Sequence, residues 1–234
     1  MGCIEDFKRL KVEGVVIIHS ALAPDEVEQM LGGIPAVLVD PQRPSSFHSV
    51  SLDRYRAMQM LLGHLLTLGH RRFGLLGISE NDGWRWQPLV DRAREAGLDP
   101  ATCFVSLPYP KGSDNSIRQG ATFAEAILAE AKRPTALICI DDLVALGVVQ
   151  KLREQGFAVP EDFSVTGFDH DEVVRHLQPS LTTIDQQPET LMGTSGQMLL
   201  AQIKNHQQDK TEPDSVLIPP QLIIGNSTAS PRPA

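Results

Sequence analysis

The sequence predicts an α/β protein built on parallel sheets, and three observations carry that prediction. Apolar runs such as residues 136–140 and 163–168 alternate with amphipathic stretches nearly throughout. The runs are largely continuous, as expected of strands buried on both faces. Several end at a carboxylate: Asp40, Asp141 and Asp169. Between residues 134 and 172 the first run stops at Asp141-Asp142. A stripe of Leu143, Leu146, Val149 and Leu152 follows, Gly156 and Pro160 close it, and the second run stops at Asp169. Strand–helix–strand of this kind reads as a right-handed parallel crossover. Ligands sit beyond the carboxyl ends of strands in such sheets, so Asp141 and Asp169 are expected to face one crevice.

The remaining elements follow in order. Residues 1–10 read as a mixed, helix-compatible start, residues 12–18 as a buried strand, and residues 24–31 as a short helix. Pro24 suits the first turn of that helix, and Gly32-Gly33 ends it. Residues 34–40 form a strand, 41–46 a turn-rich loop and 48–52 a short extended piece. A helix from Asp53 is expected to bury Tyr55, Met58, Leu61, Leu62, Leu65 and Leu66 and ends at Gly69-His70-Arg71-Arg72, where basic residues answer the helix dipole. Strands at 73–77 and 103–107 flank a short helix begun near Pro88 and ended at Gly97. A loop over 108–114 and a helix over 116–131 lead into the strand–helix–strand unit. Residues 181–185 are extended, 190–205 helical, 206–214 a polar loop and 221–224 a last strand. The end of the chain, residues 229–234, is expected to be a disordered tail.

Composition narrows the function classes. With 234 residues the chain is long enough for one domain or two small ones, and 41% hydrophobic residues suffice for a core built from aliphatic side chains. A formal net charge of −8 and no basic stripe argue against a nucleic-acid surface on this chain. Cys3, Cys103 and Cys139 are too widely spaced for a disulfide framework or a metal motif. Cys139 reads as a core residue. No signal peptide and no membrane-length apolar run is visible, so the sequence reads as that of a soluble, cytoplasmic protein. No nucleophile elbow, HExxH or phosphate-binding loop occurs.

The ordered set VEGVVI, IPAVLVD, HLLTLGHRRFGLLG, REAGL, ALICIDDLVALGVVQKLREQGFAVPEDFSVTGFD, LTTIDQQ and PPQLIIGNST resembles the effector-binding core of the LacI/GalR repressor family, from about Val12 to Ser227. The resemblance implies the type I periplasmic-binding-protein fold, in which two α/β subdomains joined by three crossovers hold a small ligand. On this reading residues 1–51 and 186–214 form an incomplete amino-terminal subdomain, and residues 52–185 and 215–228 the carboxy-terminal one. By position in these motifs, Asp40, Arg85, Asp141, Asp169 and Gln186 correspond to ligand contacts. Carboxylates accepting hydrogen bonds from hydroxyls, beside an arginine fork, suit a sugar-like polyol. The resemblance also implies a homodimer and no cofactor, with DNA reached only through a helix-turn-helix module absent from this chain.

Departures from the family pattern concern the ligand and the front of the chain. Asp141 stands in the slot of an Asn, Asn115 where relatives offer an aromatic platform, Pro88 for a glycine, and His170 for a second acid. Trp84 or Trp86 is a candidate replacement stacking face. The first strand–helix units of the family are not found before Val12, which predicts a cleft open on one side and an uncovered sheet edge. The chain is therefore read as a shortened product or gene fragment. Asp142 is expected to be the N-cap of the helix beginning near Leu143. The group Asp169, His170, Asp171, Glu172 and His176 fits no standard metal spacing. Two other functions remain open, a solute-binding protein for uptake and a metal-assisted enzyme at Asp169, His170 and His176.

Overall fold

A computed structural model describes residues 6, 7, 9–18, 22–41, 46–110, 116–205 and 213–232. The expectations for Asn115, for much of the start of the chain and for the stretch 206–212 lie outside those residues. The chain divides into two compact units: Met1–Asp53 with Gln187–Pro219, and Arg54–Gln186 with Pro220–Ala234. It passes between them after Asp53, after Gln186 and after Pro219.

The first unit holds a parallel sheet ordered β1 (Val15–Ile18), β2 (Ala36–Val39), β3 (His48–Leu52) and β9 (Ser215–Ile218). β2 is buried along its whole length, as an inner strand of an apolar run should be. Helix α1 (Pro24–Leu31) starts with Pro24 where no N–H is required, and the Ala23 N–H donates to the Glu26 carboxylate at 2.9 Å. It stops at Gly32, whose φ of 60° lets its N–H reach the Glu28 carbonyl at 3.1 Å. Val27 and Leu31 pack with Val15 and Ala36 in one cluster, while Leu191 of helix α7 (Pro188–Asn205) packs with Val37, Val50 and Ile218 in another.

The assignment of residues 215–228 to the carboxy-terminal subdomain needs correction. Residues 215–218 pair with β3 from Ser49 to Leu52 and belong to the first unit. The boundaries accordingly fall at 53, 187 and 219 rather than at 51, 186 and 214. β9 is a four-residue edge strand with an exposed–intermediate–exposed–buried pattern, too short to announce itself, and it ends where Pro219 and Pro220 offer no N–H.

The second unit is a parallel sheet ordered β5 (Phe104–Pro108), β4 (Phe73–Gly77), β6 (Ala136–Cys139) and β7 (Ser164–Thr166). Its helices are α2 (Arg54–Thr67), α3 (Trp86–Glu95), α4 (Pro100–Cys103), α5 (Ser116–Ala129) and α6 (Asp142–Glu154). The helix expected to begin near Pro88 starts two residues earlier. β4 and β6 are buried throughout, and Val144, Val148 and Leu152 of α6 pack with Leu137, Cys139 and Val165. Beyond β7 the chain continues as β8 (Thr183–Asp185), bridged in parallel at Thr166–Thr182 and Asp169–Asp185. β10 (Gln221–Ile223) then pairs with β8 antiparallel, the one pairing among the described strands that departs from parallel.

The disordered tail is also corrected for its first residues. Ala229 donates its N–H to Ser164 Oγ at 3.0 Å, and its carbonyl lies 2.9 Å from His70 Nε2. Arg232 pairs with Asp162. Buried backbone groups need partners, and this stretch finds them on β7 and on the segment after α2.

Candidate functional site

Asp141 and Asp169 follow β6 and β7, and these strands are direct neighbours in register from Ala136–Ser164 to Ile138–Thr166. The sheet therefore places both acids at its carboxyl edge. Asp141 Oδ1 accepts the Val144 N–H at 2.6 Å and closes the N-terminus of α6. Its Oδ2 is 3.5 Å from the Ser116 hydroxyl, which is in turn 3.2 Å from Tyr109 Oη.

The cap expected at Asp142 falls on its neighbour Asp141. Asp142 is the first residue of the helix, not its cap, and it is completely buried. Its carboxylate accepts the Thr183 hydroxyl at 2.6 Å and the Asp171 N–H at 2.8 Å. Burial is the main reason its pKa rises to about 7, with the Asp169 and Asp171 charges adding to the rise and the two hydrogen bonds opposing it. The helix begins one residue earlier than the apolar stripe indicates, so the cap moves from Asp142 to Asp141.

Asp169 occupies a left-handed conformation with φ 113°, followed by His170 at φ 56°. Consecutive non-glycine residues in such regions cost roughly 1–3 kcal/mol each and concentrate at functional sites. Gln186, just beyond β8, donates its amide to Asp169 Oδ1. Arg54, at the start of α2, donates to Gln186 Oε1 at 3.4 Å, which turns the amide nitrogen toward the acid. Burial foremost raises Asp169 to about 6; the Gln186 bond opposes this, as does the charge of Arg85, while Asp171 and Asp141 reinforce it. His170 Nδ1 lies 3.7 Å from Asp185 Oδ2 and is buried with no hydrogen-bond partner among the described residues.

Arg85 precedes the first residue of α3. Its N–H reaches the Asp82 carbonyl at 3.1 Å, and its Nη1 pairs with Asp82 Oδ2 at 3.0 Å. Its Nε is a buried donor with no partner among the described residues. Trp86 packs edge-on against Phe104 with centroids 5.8 Å apart, whereas Trp84 is 59% exposed. The two indoles thus have different roles, one turned to packing and the other available at the surface.

Arg85, Asp141, Asp169 and Gln186 therefore belong to one unit, and Arg85 and Asp141 both act on the charge of Asp169. Asp40 belongs to the other unit. There it follows β2 at φ 49°, and its Oδ1 accepts the Leu52 N–H at 3.1 Å, tying the ends of β2 and β3. Arg54 and Thr183 were not foreseen as parts of the site. Both support it through side chains that only the tertiary pairing brings within reach. Among the described residues, no three His, Cys, Asp or Glu side chains are grouped to hold a metal ion, and no helix is long and apolar enough to cross a membrane.

Comparison with known proteins agrees with this architecture. The family of periplasmic binding protein-like domains matches residues 62–228. The PurR repressor of Escherichia fergusonii is 30% identical over 230 residues, covering 94% of this chain and 64% of that repressor. The chain thus spans less than two thirds of that relative's length. A LacI family transcriptional regulator from Enterococcus faecium, solved with bound ribose, superposes with a TM-score of 0.84 at 26% identity, covering 97% of this chain and 83% of that one. A dimeric Lac repressor superposes with a TM-score of 0.80 at 25% identity, covering 97% and 82% of the respective chains. The chain belongs to the periplasmic binding protein-like domain family, and the regulators it is similar to over nearly its whole length include LacI family members.

Proposed function

We propose that this chain senses a small polyhydroxylated effector for a LacI/GalR-type regulator, with Arg85, Asp141, Asp169 and Gln186 as its polar contacts. The observation that supports this most directly is the convergence of Asp141 and Asp169 on the carboxyl edge of adjacent strands, in the same unit as an arginine whose Nε has no partner among the described residues. A hydroxylated ligand supplies what that edge lacks, an acceptor for the guanidinium and donors for the carboxylates. Trp84 is the candidate stacking face.

The bound ribose of the Enterococcus faecium regulator supports the sugar-like class, and the repressor name of the Escherichia fergusonii relative supports a regulatory output. A ligand that binds one conformation of a regulator better than another shifts its population, which is how such an output is transmitted. The dimeric Lac repressor supports a homodimer. This reading assigns the chain no catalytic step and a soluble, cytoplasmic setting, with DNA contacted through a separate module.

Calorimetric and thermal-shift titration with ribose, other pentoses, hexoses and disaccharides tests the reading. One or more should bind, and Arg85→Ala and Asp169→Ala should each weaken binding more than about tenfold, the cost of losing a charged hydrogen bond. Undiminished binding in both variants would sink this site.

A further inference from the structure

Acidic side chains gather at the carboxyl edge of the second unit. Asp141 and Asp142 arrive from β6 and α6, Asp169 and Asp171 from the segment after β7, and Asp185 from β8. Their mutual influence shows in the titration of Asp169, which feels Asp171 and Asp141, and in that of Asp142, which feels Asp169 and Asp171. Among the described residues, Arg85 is already paired with Asp82 at 3.0 Å, and Arg54 is engaged at Gln186 Oε1.

The acceptor inventory is also specific. Asp141 Oδ1 is committed to the helix N–H, while its Oδ2 has, among the described residues, the long Ser116 contact. Asp169 Oδ1 takes the Gln186 amide. Among the described residues, one oxygen on each acid is thus open to a further donor, and Arg85 Nε has no acceptor.

Resting on the sensing role proposed above, we propose that the effector is an amino-bearing polyol, such as an amino sugar, whose ammonium group lies against Asp141 and Asp169. An ammonium supplies donors and a positive charge to both free carboxylate oxygens, and a neighbouring hydroxyl oxygen accepts from Arg85 Nε. An anionic sugar acid meets repulsion from the same groups, with Arg85 as its main attraction and that arginine already shared with Asp82. Discrimination of this kind comes as much from repelling the wrong ligand as from attracting the right one.

The test titrates the full chain near neutral pH with matched compounds in the gluco, galacto and manno series: the 2-amino sugar, its N-acetyl derivative, the parent hexose and the uronate. In the series that binds, the amino sugar should exceed the parent and the N-acetyl compound by about tenfold, the scale of one well-placed charge interaction, with the uronate weakest. Asp141→Asn keeps a residue type equally suited to cap the helix and should erase most of that preference. Binding of the amino sugar should also release protons near pH 6, because it favours ionised Asp169, and binding of the parent should not. A parent hexose that equals the amino sugar, or a uronate that exceeds it, overturns the charge preference and leaves the sensing role standing. A complete absence of binding by these series and by the neutral sugars overturns both.

Discussion

Thr183 donates its hydroxyl to Asp142 Oδ1 at 2.6 Å, and both residues are shut away from solvent, with 1% and 0% of their surface exposed. Asp142 Oδ1 also stands 2.1 Å from where a Cβ on Gly167 would be, so the strand can pass only as glycine. The acid is locked between β6, β7 and β8 and cannot turn outward to recover water.

The proton on Asp142 should therefore be visible in stability. In the unfolded chain the group ionises near its ordinary value of 3.8, whereas burial in the folded protein holds its proton to about 7. Between those values the folded state binds the extra proton, so the contribution of Asp142 falls as pH rises from about 4 to about 7 and then levels off. Asp142→Asn keeps both contacts, with the Thr183 hydroxyl turned to accept from the new amide, and removes the titration. The difference in unfolding free energy between the wild type and this variant should change by roughly 1.4 kcal/mol per pH unit across that window. Urea denaturation at several pH values measures it, and a difference that stays constant would mean Asp142 is ionised throughout.

His70 should give the opposite slope. Its ring is 1% exposed, with Nδ1 2.8 Å from Thr135 Oγ1 and Nε2 within 3.0 Å of both Ser164 Oγ and the Ala229 carbonyl. Burial, chiefly, lowers its pKa below 6.5, and the charge of His64 pushes the same way. The unfolded chain then takes up a proton that the folded protein refuses, so stability present above pH 6.5 is lost as pH falls through the lower folded value. His70→Ala should cost about 2–4 kcal/mol near neutral pH, because it leaves buried hydroxyls and a carbonyl without partners. Hydrogen exchange at the Ala229 amide should accelerate in the same variant. Unchanged exchange there would show that the tail is held by Ser164 alone.

These two residues show what the sequence can and cannot tell. The parallel α/β plan was legible because runs such as residues 73–77 and 136–140 are apolar without interruption, and the observed strands fall within them. Asp141 and Asp169 were legible as neighbours because strand–helix–strand leaves few topologies. The role of Asp142 was not, since capping depends on which residue turns the backbone, and two adjacent acids offer the same chemistry to either reading. His70 looked like a residue answering a helix dipole because Thr135, Ser164 and Ala229 lie 65, 94 and 159 positions away. β9 escaped because an edge strand of four residues carries almost no pattern. Local signals located the elements, and long-range pairing assigned their polar groups.

The packing of α5 on α6 follows the same logic and gives the sharpest mutational test. A Cβ on Gly120 would lie 2.1 Å from the Val144 carbonyl oxygen, and one on Gly147 would lie 2.0 Å from that of Ile117. Each glycine thus admits the backbone of the other's helix, and a backbone oxygen cannot yield without moving the helix that carries it. Alanine ordinarily favours a helix over glycine by about 1 kcal/mol. At Gly120 and Gly147 that gain should be outweighed by overpacking, which typically costs about 1–3 kcal/mol. Gly193 and Gly196 on α7 provide the control, because a Cβ there meets nothing within 4 Å. Gly193→Ala and Gly196→Ala should raise the melting temperature and Gly120→Ala and Gly147→Ala should lower it. A rise in all four would show that α5 and α6 can separate freely and that the close contact contributes little to the fold.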